Sequence, residues 1–301
     1  MVAIGDIMIG YRPRSKGIGL NDWVKDKIGA TPRTWPLFTF LFRGLPPAAK
    51  LFKYPVIGPL LKWAMMFSPY EKRFTQGVTL PLNIEIPDAT SVAVPIDMIK
   101  AAIHRAGYIL ALNHCLCRDS HNCQTYPHDL ACLFLGKAAH VTEKHGLGRV
   151  VTAEEACAQV DRAASLGLVG QALWVEVEQY VWGFENESLE NFLEICFCCP
   201  CCCTALNITR NSTLDVRRRF KSAGWSAQVS DSCVMCGKCA PVCPQHAISY
   251  DTGKTHISGE CFGCGLCARE CSVDAISLTL REPPKAAIED YFTGLKIDIT
   301  R

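Results

Sequence analysis

Apolar residues recur with a helical period after Pro95. Ile96, Ile99 and Ile103 fall on one face of a predicted helix that ends at Gly107. Proline is favoured in the first turn of a helix and glycine just past its last turn, which supports both ends of this prediction.

Two further helices are predicted in the middle of the chain. Thr152 and Glu155 have the spacing of a capping box and begin a helix that runs to Gly167. A second helix is predicted over residues 127–138, because proline begins the segment and apolar residues follow at intervals of four.

Three segments have the composition of strands: residues 82–86, residues 108–112, and the alternating Leu173, Val175 and Val177. Strands mixed with helices predict an α+β domain over residues 76–210.

The first 75 residues form a separate, basic segment that we expect to be an extended N-terminal arm. Residues 1–74 contain twelve Lys or Arg against four Asp or Glu. No apolar run reaches the roughly 20 residues that cross a bilayer. The arm therefore wraps a partner subunit, lies on a membrane surface through residues 31–74, or packs on its own domain. Its apolar runs are interrupted by Pro36, Pro46, Pro47, Pro55 and Pro59.

The composition is most unusual in its 19 cysteines. Their number is odd, they cluster in short runs, and the first ten residues lack the pattern of a signal peptide, so a secreted disulfide scaffold is not expected. Reduced cysteines at this density indicate iron or zinc. The formal net charge of +2 gives no general basic field for nucleic acid.

Residues 233–251 and 261–279 are an internal repeat, with nine identities in nineteen positions. Each copy has the spacing C-x-x-C-x-x-C-x-x-x-C. Structural zinc sites pair two ligands with two distant ones, and do not use this run. Gly237, Gly263 and Gly265 lie between the cysteines and allow the backbone to approach the sulfides of a cluster.

Residues 226–281 resemble a bacterial ferredoxin domain with two [4Fe-4S] clusters. Pro244 follows Cys243 as in that family, whereas Ser272 replaces the second proline and alters the surroundings of the second cluster. The resemblance implies a ferredoxin-like fold in which the fourth cysteine of each copy binds the other cluster. One cluster is then held by Cys233, Cys236, Cys239 and Cys271. The other is held by Cys261, Cys264, Cys267 and Cys243.

The runs Asn113–Arg118 and Ile195–Cys203 resemble the cysteine-rich front domain of longer ferredoxin-like iron–sulfur proteins of anaerobic bacteria and archaea. The resemblance implies one or two further [4Fe-4S] clusters. A helix near residues 188–195 is expected to deliver the second run, and Cys157 is assigned to helix packing. Adjacent cysteines such as Cys198 and Cys199 point in different directions and are not expected to bind one cubane. The candidate ligands are Cys115, Cys117, Cys123, Cys132, Cys196, Cys198, Cys199, Cys201, Cys202 and Cys203.

Other polar residues near the first cysteine run are weaker candidates. His114, His121 and His128 offer ring nitrogens, although loop histidines are more often hydrogen-bonded than metal-bound. Arg118 either neutralises cluster charge or pairs with a carboxylate.

Familiar catalytic motifs are missing from the sequence. It has no phosphate-binding loop, Gly17 and Gly19 lack the third glycine of a dinucleotide fingerprint, and no cysteine run of the radical-SAM type occurs. Neither a flavin nor a nucleotide site is expected. The sequence predicts an electron-transfer subunit. An enzymatic role stays open, because one alternative is a reductase with a catalytic metal centre in its front domain. A further alternative is an iron–sulfur scaffold or redox sensor.

The predicted organisation is an arm (1–75), a cysteine-rich α+β domain (76–210), a linker (211–230), the ferredoxin domain (231–281) and a tail (282–301). Its expected partners are catalytic oxidoreductase subunits in a hetero-oligomeric complex of an anaerobic cell. The expected location is the cytoplasm, with the inner face of the cell membrane as the alternative.

Overall fold

The computed structural model describes residues 29–65, 75–82, 95–175, 178–184, 186–251 and 253–301. The predicted strand at 82–86 lies outside these residues except for Leu82, as does Val177. The architecture is a mixed α/β front domain followed by a smaller C-terminal module.

A seven-stranded sheet forms the centre of the front domain. Its spatial order is β4-β2-β3-β6-β5-β1-β7, with all neighbours antiparallel except β1 and β7. Strands β3, β5 and β6 are buried at every position, so the side chains that they carry lie inside the protein. The strands are β1 (Gln76–Pro81), β2 (Ile109–Leu112), β3 (Leu133–Leu135), β4 (Gly148–Val150), β5 (Val169–Trp174), β6 (Leu193–Cys198) and β7 (Phe220–Ser222).

Eleven α-helices are present among the described residues. Those predicted after Pro95 and Thr152 are confirmed as α3 and α6, and both hydrogen bonds of the Thr152–Glu155 capping box form. The helices are α1 (Trp35–Ala49), α2 (Ile57–Ala64), α3 (Pro95–Arg105), α4 (Leu116–His121), α5 (His140–Lys144), α6 (Ala153–Ser165), α7 (Glu178–Trp182), α8 (Thr204–Asn211), α9 (Leu214–Arg217), α10 (Cys239–Val242) and α11 (Leu266–Arg269). Short 3₁₀ helices cover Lys50–Lys53, Lys137–Ala139, Asn186–Asn191 and Ile288–Tyr291.

The helix predicted over residues 127–138 is wrong, because this segment contains β3. Leu133, Phe134 and Leu135 lie between β2 and β6 and are fully buried. A short apolar run buried on both faces has no alternation, so its sequence does not distinguish a strand from a helix.

The described part of the N-terminal segment is helical and packed on the front domain, rather than extended. Helix α1 continues through Pro46 and Pro47 and packs against α4 and α8. The indole of Trp35 donates to Asp119 at 2.8 Å, and Arg43 donates to the carbonyl of Ser120 at 2.7 Å. These contacts place α1 directly over the first cysteine run.

The C-terminal module repeats one strand–helix–strand unit twice. Strands β8 (Trp225–Val229) and β9 (Ile248–Asp251) flank α10, whereas β10 (Lys254–Ile257) and β11 (Ile276–Leu280) flank α11. The first strand pairs with the last, and the two middle strands pair with each other. This exchange interlocks the two copies of the repeat.

Segments predicted as linker and tail are structured. Residues 211–230 contain α9, β7 and β8, so they connect the large sheet to the C-terminal module. The last residues return to the front domain, where Gly107 donates to the carbonyl of Ile299 at 2.8 Å. Within the described ranges, none of the helices has the length and apolar character needed to cross a bilayer.

Candidate metal centres

Two cavities of similar size lie in the C-terminal module, with about 330 and 300 Å³ of space between their atoms, part of it open to solvent. Each is lined by three cysteines of one copy and by the fourth cysteine of the other copy. The larger contains Cys243, Cys261, Cys264 and Cys267. The smaller contains Cys233, Cys236, Cys239 and Cys271. The fold thus brings together both sets that the ferredoxin resemblance implies.

The loops around these cavities repeat the same backbone geometry. Gly237 and Gly265 occupy equivalent positions with φ of 79° and 77°. Gly263 also has a positive φ, and a Cβ there would lie 2.4 Å from the carbonyl oxygen of Trp225, so only glycine fits. The cavities therefore have walls of closely approaching backbone.

Main-chain N–H groups already point at cysteine sulfurs in both copies. Ala247 donates to Sγ of Cys243 at 3.3 Å, and Ala275 donates to Sγ of Cys271 at 3.2 Å. Such bonds stabilise thiolate ligands and help to set the potential of a cluster. Burial raises the pKa of Cys267 to about 12, so binding metal here displaces a proton.

In the front domain, the ten candidate cysteines separate into two groups. The inner sulfur group consists of Cys115, Cys117, Cys132, Cys196, Cys198 and Cys203, whose thiols contact one another in a continuous series. The outer sulfur group consists of Cys123, Cys199, Cys201 and Cys202, whose Sγ atoms all lie within 4.8 Å of one another.

Strand β6 delivers Cys196 and Cys198 to the inner sulfur group, so the helix predicted near residues 188–195 is wrong. Only a 3₁₀ helix, Asn186–Asn191, precedes the strand. The Sγ atoms of Cys196 and Cys132 are 2.9 Å apart. The chain turns after Cys198, so Cys199 belongs to the outer sulfur group. The neighbours Cys201 and Cys202 share that group, because they lie in the turn rather than on a strand.

Glu194 is a candidate ligand that the sequence reasoning missed. Its carboxylate lies 3.0 Å from Sγ of Cys196, the residue is 3% exposed, and its Oε2 has no hydrogen-bond partner among the described residues. With Cys132 and Cys196 it forms a compact set that fits a metal. The sequence does contain a signal for this ligand: an acidic residue lies within an otherwise apolar segment, just before a cysteine run.

Arg118 lies between the two sulfur groups and is fully buried. Its guanidinium donates to backbone carbonyls of Pro127 at 2.9 Å and Phe197 at 2.6 Å, and it has no carboxylate partner in the described structure. Burial lowers the pKa of Arg118, but Cys115 and Cys199, in their thiolate form, outweigh this effect and raise it.

The buried charge of Arg118 indicates whether a metal centre fits the front domain. A buried cation is costly unless anions lie beside it. Neutral thiols do not supply that charge, whereas metal-bound thiolates do. Since Arg118 has thiols and carbonyls as neighbours, the donor set fits a metal centre with excess negative charge.

The three histidines near the first cysteine run have different surroundings. His128 is hydrogen-bonded through both ring nitrogens, to Asp119 and to the carbonyl of Cys123. His114 is 61% exposed and lies 3.7 Å from Asp119. His121 has a buried Nε2 that finds no partner in the part of the chain that the structure describes, and burial lowers its pKa. None belongs to the compact metal-binding groups of the described residues.

Comparison with protein families identifies the C-terminal module. The family model for a 4Fe-4S dicluster domain matches residues 232–275. The chain is an iron–sulfur protein. No curated protein matched the chain. Comparison with solved structures also gave no match. The matched region contains all eight cysteines that line the two cavities, and it is called the dicluster module below.

Proposed function

We propose that this chain passes single electrons through three [4Fe-4S] clusters, two in the dicluster module and one in the inner sulfur group. The contact between these sites carries the proposal. Cys196, Cys198 and Cys203 belong to the same apolar cluster as Phe262 and Leu266, and Cys264 packs against that cluster. The inner sulfur group and the larger cavity are thus connected through one cluster of packed apolar side chains.

A second apolar cluster connects the two cavities of the dicluster module. Ala227, Ile276 and Leu278 pack with Cys239 from one ligand set and Cys267 from the other. Together the two apolar clusters form a path from the smaller cavity, through the larger one, to the inner sulfur group.

The smaller cavity lies at the surface end of this path. Cys236 is exposed, and its neighbours Val234 and Met235 are 62% and 45% exposed. Exposed apolar side chains beside a redox centre suit transient contact with another protein. We therefore place electron exchange with a partner at this loop.

The inner sulfur group has more ligands than one cubane requires. Four of its six thiolates suffice, and Arg118 and the buried Glu194 are available to balance charge and position the set. A [4Fe-4S] cluster supplies one-electron chemistry, whereas two-electron reactions usually belong to another cofactor. The expected partner is therefore a catalytic oxidoreductase subunit.

Anaerobic reductive titration tests the electron-transfer function. Full-length protein titrated with dithionite should take up about three electrons per chain, one for each cluster. EPR spectra should show magnetic interaction between reduced centres, because the sites are joined through packed side chains. Centres that stay oxidised throughout, or spectra of mutually isolated clusters, would contradict a conduit.

The exposed face of α1 and α2 supports attachment to an anionic membrane surface. Residues 29–64 contain no Asp or Glu, and they include Lys50 and Lys53, which are exposed. Apolar side chains with basic neighbours insert at the boundary of anionic lipid headgroups. Among the described residues, eight of the sixteen exposed large apolar side chains lie here: Leu37, Phe40, Leu41, Leu51, Tyr54, Val56, Ile57 and Leu60.

Vesicle sedimentation tests this attachment. The protein should sediment with phosphatidylglycerol vesicles and remain free with phosphatidylcholine vesicles. Val56→Asp should weaken binding about tenfold or more, because Val56 is 82% exposed and a charge there opposes insertion. Val150→Asp, a control on strand β4 outside residues 29–64, should bind normally. Failure to bind either vesicle would exclude the membrane and leave a partner subunit as the occupant of this face.

A further inference from the structure

The outer sulfur group has the dimensions of a site for one metal ion. All four Sγ atoms lie within 4.8 Å of one another, and those of Cys123 and Cys201 are 3.8 Å apart. A tetrahedral ion bound at about 2.3 Å from each sulfur places the sulfurs about 3.8 Å apart. The distance between the Sγ atoms of Cys123 and Cys201 therefore matches the edge of that tetrahedron.

The dicluster module provides an internal comparison. A cubane places iron and sulfide between its cysteine ligands, so the ligand sulfurs surround a space. The eight cysteines of residues 232–275 line two spaces that are partly open to solvent. Within the described ranges they form no group as compact as the outer sulfur group. The same chain therefore shows two distinct arrangements of four thiols.

Polar groups of the protein point at the outer sulfur group. Backbone N–H groups of Thr125 and Tyr126 donate to Cys123. Arg118 contacts Cys199 from the buried side. Four thiolates around a divalent ion leave a net negative charge, which this guanidinium partly offsets.

We infer that Cys123, Cys199, Cys201 and Cys202 bind a single tetrahedral, thiophilic divalent ion, either zinc or ferrous iron. Three of these residues are buried and Cys201 is exposed, so the ion lies just below the surface. It joins the end of α4 to the turn after β6. The inference does not rest on the proposed electron transfer, because a zinc ion here would leave the cluster path unchanged.

Metal and sulfide analysis of a matched pair of variants tests this inference. Full-length wild type, Cys201→Ser and Cys157→Ser are purified anaerobically, and iron, zinc and acid-labile sulfide are counted for each. Cys157 is the control, because its thiol contacts His104 at 3.7 Å and lies outside both sulfur groups. Cys201→Ser should lose about one metal per chain with no loss of sulfide, and the lost element identifies zinc or iron.

Three thiolates can retain an ion weakly, so Cys123→Ser/Cys201→Ser is measured in parallel. Unchanged EPR signals of the dicluster module show that each variant is folded. Loss of about four sulfides together with about four irons would overturn the inference in favour of a cubane. A double variant with the same metal content as the Cys157→Ser control would overturn it as well.

Discussion

Replacing Cys243 by alanine should remove the cluster whose other ligands are Cys261, Cys264 and Cys267. Cys243 is nearer in sequence to the ligands of the other site, but its side chain lines the larger cavity. The variant should lose about four irons and four sulfides. The EPR signal of the cluster bound by Cys233, Cys236, Cys239 and Cys271 should persist.

Two controls keep this experiment decisive. Cys157→Ala should keep its full iron content, because Cys157 lies on α6 and lines neither cavity. Cys271→Ala should give the reciprocal result and spare the larger cavity. Loss of iron confined to the cluster beside Cys233, Cys236 and Cys239 in the Cys243 variant would refute the crossed arrangement.

Replacing Arg118 by leucine should destabilise the front domain and release its metal. The substitution removes the guanidinium that donates to the carbonyls of Pro127 and Phe197, and with it the positive charge beside the sulfur groups. Removing one partner from a buried charged set typically costs about 3 to 5 kcal/mol. We expect that decrease in the free energy of unfolding, together with loss of iron beyond that of the dicluster module.

Arg162 is a matched control for this substitution. It pairs with Asp129 at 2.9 Å, but both side chains are about half exposed or more. Arg162→Leu should therefore change the free energy of unfolding by no more than about 1 kcal/mol and leave all iron in place. Chemical unfolding and iron analysis of both variants provide the comparison. Equal effects would show that Arg118 has no special electrostatic role.

Features that are local in sequence were predictable. The helices after Pro95 and Thr152 carry their own end signals, and strand β2 begins one residue after the predicted start. The repeat around residues 233 and 261 has cysteine spacing that the family match supports as a 4Fe-4S domain. In these segments the helix ends and the cysteine spacing depend on residues that are close in the sequence, and not on the rest of the fold.

Features that depend on tertiary packing were not predictable. Strand β3 has the composition of a buried segment but no period, and α1 continues through two prolines because it packs against α4 and α8. The separation of Cys198 from Cys199 was expected, but the two sulfur groups depend on how β6 and the following turn meet α4. Glu194 gains its importance only from burial beside Cys196.

The central claim is that the front domain binds a cluster in addition to those of the dicluster module. Acid-labile sulfide measured on anaerobically reconstituted full-length protein tests it most directly, because a mononuclear ion contributes no sulfide. Three [4Fe-4S] clusters predict about twelve sulfides per chain. A value of about eight, accounted for by the two sites of the dicluster module, would contradict the claim.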